Sequence, residues 1–211
     1  MNKCAIVANG SHENLEEFLF YFQECDIIIG VDGGLNALSK IGIEPTVILG
    51  DFDSVHGQVL ESYQNKGIPS ISFPKRKDAT DSELAIDYAI EQNLSTLYLF
   101  GMTGKRLDHG LTNIHMLRKI PKSIKACILD AHNEIYYGNQ NFELEGYIGK
   151  NLSIIPMTDE VKGLNTKGLD YPLKNETLYY NQSRGVSNVI VQEKVQISAT
   201  SGEFFIIISK D

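Results

Sequence analysis

Tryptophan is missing from all 211 positions, so any aromatic stacking surface must come from the 10 tyrosines and 9 phenylalanines. Cysteine is scarce too. Cys4, Cys25 and Cys127 are odd in number, far apart and set in apolar stretches, which supplies neither a disulfide framework nor zinc-ligand spacing and reads as small core residues in a reducing compartment. No apolar run nears the length of about 18 residues that a membrane span needs, and Lys3 to Ala8 is too short for the apolar core of a secretion signal. A cytoplasmic protein with no membrane contact is the expectation. Positive charge is in deficit, with Lys and Arg totalling 19 against 27 Asp and Glu, a net charge of −8. That balance argues against a nucleic-acid surface while leaving room for a local basic pocket. The one dense basic run, Lys75-Arg76-Lys77, has the ordinary fate of a solvated loop, but it leads straight into Asp78. What is present is a globular composition, 42% hydrophobic, enough for one large domain or two modest ones.

The texture changes once along the chain. Up to about residue 130, apolar runs at Cys4–Ala8, Asp26–Val31, Thr46–Leu49, Ser70–Phe73, Thr96–Phe100 and Ile124–Leu129 predict strands. Helical periodicity fills the gaps at Glu13–Glu24, Leu35–Ile41, Val55–Lys66, Asp81–Gln92 and Leu107–Lys119. Strand followed by helix, five times over, predicts an α/β domain over 1–130 whose mostly parallel sheet is flanked by helices. Beyond about Asn133, short runs such as Leu152–Ile155, Thr177–Tyr180, Asn188–Val191 and Phe204–Ile208 are separated by turn residues. They predict an all-β sandwich domain over 131–211.

Polar clusters follow several of the predicted strands. In a parallel sheet the carboxyl ends of neighbouring strands share one edge, so these clusters are expected to converge on one crevice. Asp51-Phe52-Asp53-Ser54 carries two carboxylates two residues apart, a spacing that period-two geometry can aim to one side, where a cation would relieve their repulsion. The same stretch also reads as a polar turn with Asp53 or Ser54 capping a helix. A third reading is the Asp-x-Asp of a haloacid-dehalogenase-type phosphatase. Val55 fits that pattern, whereas Asp130, followed by Ala131, does not supply its later acidic pair. Lys77-Asp78-Ala79-Thr80-Asp81 precedes a helix that Thr80 and Glu83 suit as a capping box, leaving Asp78 and Asp81 unexplained except as favourable charges near a helix N-terminus. Gly101-Met102-Thr103-Gly104-Lys105-Arg106 suits anion binding by backbone amides without the spacing of a Walker A loop. Arg106 offers a fork for phosphate, Asp108 a ligand, a base or a cap, and His109 an acid or an interior imidazole. Gly30-Val31-Asp32-Gly33-Gly34 closes another strand as a turn or a nucleotide contact.

In this order, Val31-Asp32-Gly33-Gly34, Gly50-Asp51-Phe52-Asp53-Ser54, Lys77 to Asp81, Gly101 to His109, and Ser183-Arg184-Gly185-Val186-Ser187-Asn188 together resemble the thiamine pyrophosphokinase family. The resemblance spans residues 31 to 188. It implies an ATP-binding α/β domain, a thiamine-binding β sandwich, and a homodimer with thiamine in clefts between subunits. It also implies Mg²⁺-dependent transfer of the pyrophosphoryl group of ATP to the thiamine hydroxyl, giving thiamine diphosphate and AMP. Carried over by motif, Asp51, Asp53 and Asp81 are the expected Mg²⁺ carboxylates. Asp32, Gly33, Asp78, Thr80, Gly101, Thr103, Gly104, Arg106 and Asp108 are expected at the nucleotide, and Ser187 with Asn188 at thiamine. Asp81, Asp108 and Arg106 are the expected catalytic groups, with either carboxylate a candidate for the hydroxyl proton. One departure stands out: some members of the family place a tryptophan just after the Ser-Asn pair to stack on thiamine, and here Val189-Ile190 follow. A non-catalytic sensor on the same scaffold is the contrasting reading, and the full acidic set argues against it.

Overall fold

Cys4, Ala5, Ile6 and Val7 are all fully buried, as a strand covered on both faces requires. They belong to β1 (Asn2–Val7) in the computed structural model, which describes residues 2–73 and 78–210; the basic run Lys75-Arg76-Lys77 lies outside the described residues. The chain divides into two units, Met1–Ala131 and His132–Asp211.

In the first unit β1 is followed by α1 (Leu19–Gln23), β2 (Ile27–Val31), α2 (Gly34–Lys40), β3 (Val47–Gly50), α3 (Gly57–Asn65) and β4 (Ser70–Ser72). α4 (Asp81–Ile90), β5 (Leu94–Phe100), α5 (Leu107–His115) and β6 (Lys125–Leu129) complete it. The strands pair in the order β6-β5-β1-β2-β3-β4, each neighbouring pair parallel. From β1 the chain steps outward through β2, β3 and β4, then returns by α4 to place β5 on the other side of β1. The loops after β1 and β5 therefore leave adjacent strands at the point where strand order reverses, which opens a crevice at the carboxyl edge. α4 buries Ala85, Ile86 and Ala89, small and branched residues on one helical face. Lys119 Nζ ties its outer face to the end of the next helical segment, reaching Glu83 and Asp87 at 2.9 and 2.8 Å.

The helix predicted over Glu13–Glu24 is instead a 3₁₀ turn, Leu15–Phe18, followed by α1. Phe18 sits at the junction with φ −98° and ψ 9°, outside the helical well. The helix predicted from Val55 starts at Gly57, because His56 is extended with ψ 129°. α5 likewise gives way to a 3₁₀ turn over Met116–Lys119.

The second unit is built from antiparallel strands: β7 (Asn133–Gly138), β8 (Asn141–Glu145), β9 (Asn151–Pro156), β10 (Glu160–Lys167), β11 (Glu176–Tyr179), β12 (Asn188–Val189), β13 (Lys194–Ser198) and β14 (Phe204–Ser209). β12-β9-β14-β7 form one set and β11-β10-β13-β8 another. Leu152, Ile154, Phe204 and Ile206 from the first set and Val161, Leu164, Leu178, Val195 and Ile197 from the second are all buried, the inward residues of a β sandwich. β10 buries Val161, Leu164 and Thr166 and exposes Lys162, Asn165 and Lys167, with a register irregularity between Val161 and Leu164. No helix among the described residues is long and apolar enough to cross a membrane.

Candidate active site

The loop after β1 runs alongside the loop after β5. Ala8, Gly10 and Ser11 donate their N–H groups to the carbonyls of Phe100, Gly101 and Thr103 at 2.9, 2.8 and 2.7 Å. The backbones approach so closely that a Cβ on Gly10 would lie 2.2 Å from the Thr103 carbonyl oxygen, which only glycine permits. Two side chains hold the second loop from behind. Buried Asn113 donates Nδ2–H to the Met102 carbonyl at 2.7 Å, and the Thr103 hydroxyl donates to Asp130 at 2.8 Å. Asp130, single where a phosphatase of the dehalogenase type would have an acidic pair, is thus engaged in shaping this loop.

These loops, the end of β2 and the N-termini of α4 and α5 enclose a cleft of about 660 Å³, within the range of roughly 300–1,000 Å³ usual for small-molecule sites. Of the residues singled out from sequence, Asp32, Thr80, Asp81, Gly101, Thr103, Gly104 and Arg106 line it, together with Lys105 and His109. Asn9, Gly10, Ser11 and Asn113 line it too and went unrecognised in the sequence. Their signal was present: Asn9-Gly10 is a turn dipeptide directly after the first strand, at the edge where ligands bind in such sheets.

Thr80 caps α4, its hydroxyl accepting the Glu83 N–H at 3.2 Å. It thereby sets Asp81 in the first helical turn at the cleft wall. Arg106 and Asp108 form a two-pronged pair, Nε donating to Oδ1 at 3.2 Å and Nη2 to Oδ2 at 2.5 Å. The Arg106 hydrogen bond holds the Asp108 carboxyl at about 2, well below the usual range. Asp108 and Asp78 are not among the residues lining the cleft. Gly33 is not either; it stands at the start of α2, where a Cβ would lie 1.9 Å from the Asn9 side-chain oxygen. His12 backs the β1 loop with Nε2 2.7 Å from the Ala8 carbonyl, and burial lowers its pKa, so it is a neutral Nε2–H donor.

The Asp51–Asp53 stretch departs from its expected geometry. β3 ends at Gly50, so strand alternation does not carry on through the two aspartates. Phe52 instead takes a left-handed conformation, φ 62°, uncommon for a bulky residue, with its ring packed against the Leu35, Ile48 and Tyr63 cluster. Asp51 Oδ1 accepts the Asp53 N–H at 3.1 Å. Asp32 Oδ1 accepts the Phe52 N–H at 3.1 Å and would lie 1.8 Å from a Cβ on Gly50, so this turn and the cleft-lining Asp32 are locked together. Among the described residues no group of three or more His, Cys, Asp or Glu is placed to hold a metal ion. Of the expected metal carboxylates Asp81 lines the cleft while Asp51 and Asp53 do not, so a cation there would complete its shell with phosphate oxygens and water, as Mg²⁺ does, and not with a cage made by protein alone.

In the second unit, Ser187 is also left-handed, φ 57°, and donates its N–H to Ser153 Oγ at 3.0 Å. Asn188 is buried, its carboxamide bonded to the backbone of Tyr171 and Val189. Arg184 is paired through both prongs with Glu176 at 2.9 and 2.8 Å.

With this geometry in view, known proteins give a consistent comparison. Residues 18–128 match the family model described as "Thiamin pyrophosphokinase, catalytic domain" and residues 139–203 match "Thiamin pyrophosphokinase, vitamin B1 binding domain". A thiamine pyrophosphokinase of Bacillus subtilis is 32% identical over 215 residues, covering 100% of both chains. The crystal structure of a thiamine pyrophosphokinase from that organism superposes with a TM-score of 0.91 at 30% identity over 99% of each chain. One from Geobacillus thermodenitrificans gives 0.85 at 30% identity, over 99% of this chain and 97% of the other.

Proposed function

The chain belongs to the thiamin pyrophosphokinase family, and from that premise we propose how its own residues carry the transfer of a pyrophosphoryl group from ATP to thiamine. The observation that supports the reading most is the cleft at the β1/β5 reversal, where Asp81, Arg106 and the Gly101–Gly104 loop face one space.

Polyphosphate occupies the part of the cleft bounded by the β5 loop and the N-termini of α4 and α5, where backbone N–H groups and helix dipoles favour anions. Arg106 spreads its fork over two phosphate oxygens, and Lys105 adds a second positive charge. Asp81, with Asp51 and Asp53, would hold Mg²⁺, which would supply positive charge to offset the polyphosphate. The thiamine hydroxyl oxygen forms a bond to the β-phosphorus as the bond from that phosphorus to the α,β-bridging oxygen breaks, and AMP leaves with the bridging oxygen. The hydroxyl proton passes to Asp81, which lines the cleft, and not to Asp108, which does not. A weak base suffices where bond formation lags behind leaving-group departure. Positioning and charge neutralisation supply most of the acceleration. Thiamine meets the second unit near Ser187, and the protein works as a homodimer in the cytoplasm with each thiamine site shared between two copies.

The reading is tested by incubating the protein with ATP, Mg²⁺ and thiamine and identifying both products. Thiamine diphosphate and AMP are expected in equal amounts, and Asp81→Asn should abolish both while leaving the melting temperature near that of wild type. ADP as the nucleotide product, or full activity of Asp81→Asn, would contradict it.

A further inference from the structure

Phe52 stands between the two aspartates of the turn after β3 in a left-handed conformation, φ 62°, which a bulky residue keeps only where its surroundings over-determine it. Its ring packs on Leu35, Ile48 and Tyr63, which anchors the middle of the turn. The backbone of the turn is fixed by two side chains from the segment that opens α2. Asp32 Oδ1 accepts the Phe52 N–H at 3.1 Å. Asn36 spans the exit of the turn, its Oδ1 accepting the His56 N–H at 2.9 Å and its Nδ2 donating to the Ser54 carbonyl at 3.0 Å.

Asp32 and Asn36 are four residues apart, about one helical turn, so their side chains leave the same side of the chain. Backbone bonds from the Leu35 N–H to the Asp32 carbonyl at 3.0 Å and from the Asn36 N–H to the Gly33 carbonyl at 3.1 Å close that turn. Between them the two side chains grip Phe52, Ser54 and His56, three alternate residues of one short loop. They differ in what else they reach: Asp32 lines the cleft and Asn36 does not. A side chain outside the cleft that bonds only the backbone of the acidic turn acts on the reaction through that turn. Carboxylates that share one cation must keep their places relative to one another, and the outer groups that orient them matter to such a site nearly as much as the ligands.

We propose that Asn36 is a positioning residue for the divalent cation: by fixing Ser54 and His56 it holds Asp51 and Asp53 beside the cleft-lining Asp32, ready for Mg²⁺. This rests on the reading in which the acidic turn serves Mg²⁺ during pyrophosphoryl transfer. No motif of the sequence singled out Asn36, because its partners lie 18 and 20 residues away.

The test reads binding apart from turnover, using the full chain and α,β-methylene ATP, which cannot release AMP, in calorimetry with Mg²⁺ and again with EDTA. In the wild type, Mg²⁺ should tighten binding of the analogue. Asn36→Ala should bind it about tenfold more weakly in Mg²⁺, the lower end of what outer groups of a metal site are worth, and unchanged in EDTA. In steady-state assays the Mg²⁺ concentration for half-maximal rate should rise by a similar factor, with the thiamine KM unmoved. In the Asn36→Ala/Asp53→Asn double variant the gain from Mg²⁺ should match that of Asp53→Asn alone, since one residue acts through the other. If Asn36→Ala does not fold, Asn36→Asp, which keeps an acceptor for the His56 N–H and loses the donor to Ser54, replaces it in the same cycle. Equal weakening with and without Mg²⁺, or no change in either, overturns the positioning role, as do additive losses in the double variant. A wild-type protein whose analogue binding and turnover ignore Mg²⁺ overturns instead the reading of the turn as a cation site, and one that makes no thiamine diphosphate overturns the proposed function.

Discussion

Arg106 shows what a single residue can and cannot tell from sequence. Its place after a glycine loop announced a phosphate fork, and the structure sets it on the cleft wall. Its pairing with Asp108, two positions away, was not legible, because Asp108 equally suited a ligand, a base or a cap. The fork is held by a carboxylate that a bound phosphate would have to displace or share. Arg106→Lys therefore removes the only planar donor array on this wall among the described residues. A charge-assisted contact of this kind is worth about 1.5–3 kcal/mol, so kcat/KM for ATP should fall roughly ten- to hundredfold with the thiamine KM little changed. Unaltered ATP kinetics in this variant would take Arg106 out of the phosphate site. Asn188 teaches the opposite lesson: its motif suggested a ligand contact, but its carboxamide is taken up by the backbone of Tyr171, 17 residues away in sequence, and of Val189, which makes it a brace.

At the scale of elements, five of the six strands of the first unit were readable because each is an apolar run bounded by turn residues, while β4 holds a single apolar residue, Ile71, between two serines. Helix ends were less so, since they depend on single backbone angles such as the extended His56 and the non-helical Phe18. In the second unit β10 escaped notice. Its buried Val161, Leu164 and Thr166 are diluted by Glu160, Lys162, Gly163 and Asn165, and a register irregularity between Val161 and Leu164 breaks the period of two. The loop after β1 was missed for another reason: its importance comes from pairing with the β5 loop some 90 residues later, which no local pattern reports. That pairing predicts a pH effect through His12. Its folded pKa lies below 6.5 because burial penalises the charged form. Its contribution to stability is therefore complete above pH 6.5 and is lost as the pH falls through the folded value. His12→Gln, which keeps a donor for the Ala8 carbonyl but cannot titrate, should flatten the decline of unfolding free energy between about pH 7 and pH 5. A wild-type slope retained in the variant would assign the titration to another group.

At the scale of the whole molecule, the parallel α/β unit and the antiparallel β unit were both legible from the change in periodicity near residue 130, and the family match covers each in turn. How copies assemble is not written in such patterns, because an interface is a surface and not a repeat. If two copies share each thiamine site, an inactive Asp81→Asn chain mixed with a Ser187→Ala/Asn188→Ala chain, assayed at thiamine well below the raised KM of the second chain, should regain activity. Random exchange makes about half the dimers mixed, each with one intact site of two, so recovery to roughly a quarter of wild type is expected; no rescue after verified exchange would place the site within one copy. The central claim, that the cleft delivers the β and γ phosphorus atoms together, is tested most directly by the fate of label. With ATP carrying labelled phosphorus at both the β and γ positions, both labels should appear together in thiamine diphosphate from the first turnover, leaving unlabelled AMP and no thiamine monophosphate. Accumulation of singly labelled thiamine monophosphate together with labelled ADP would contradict it.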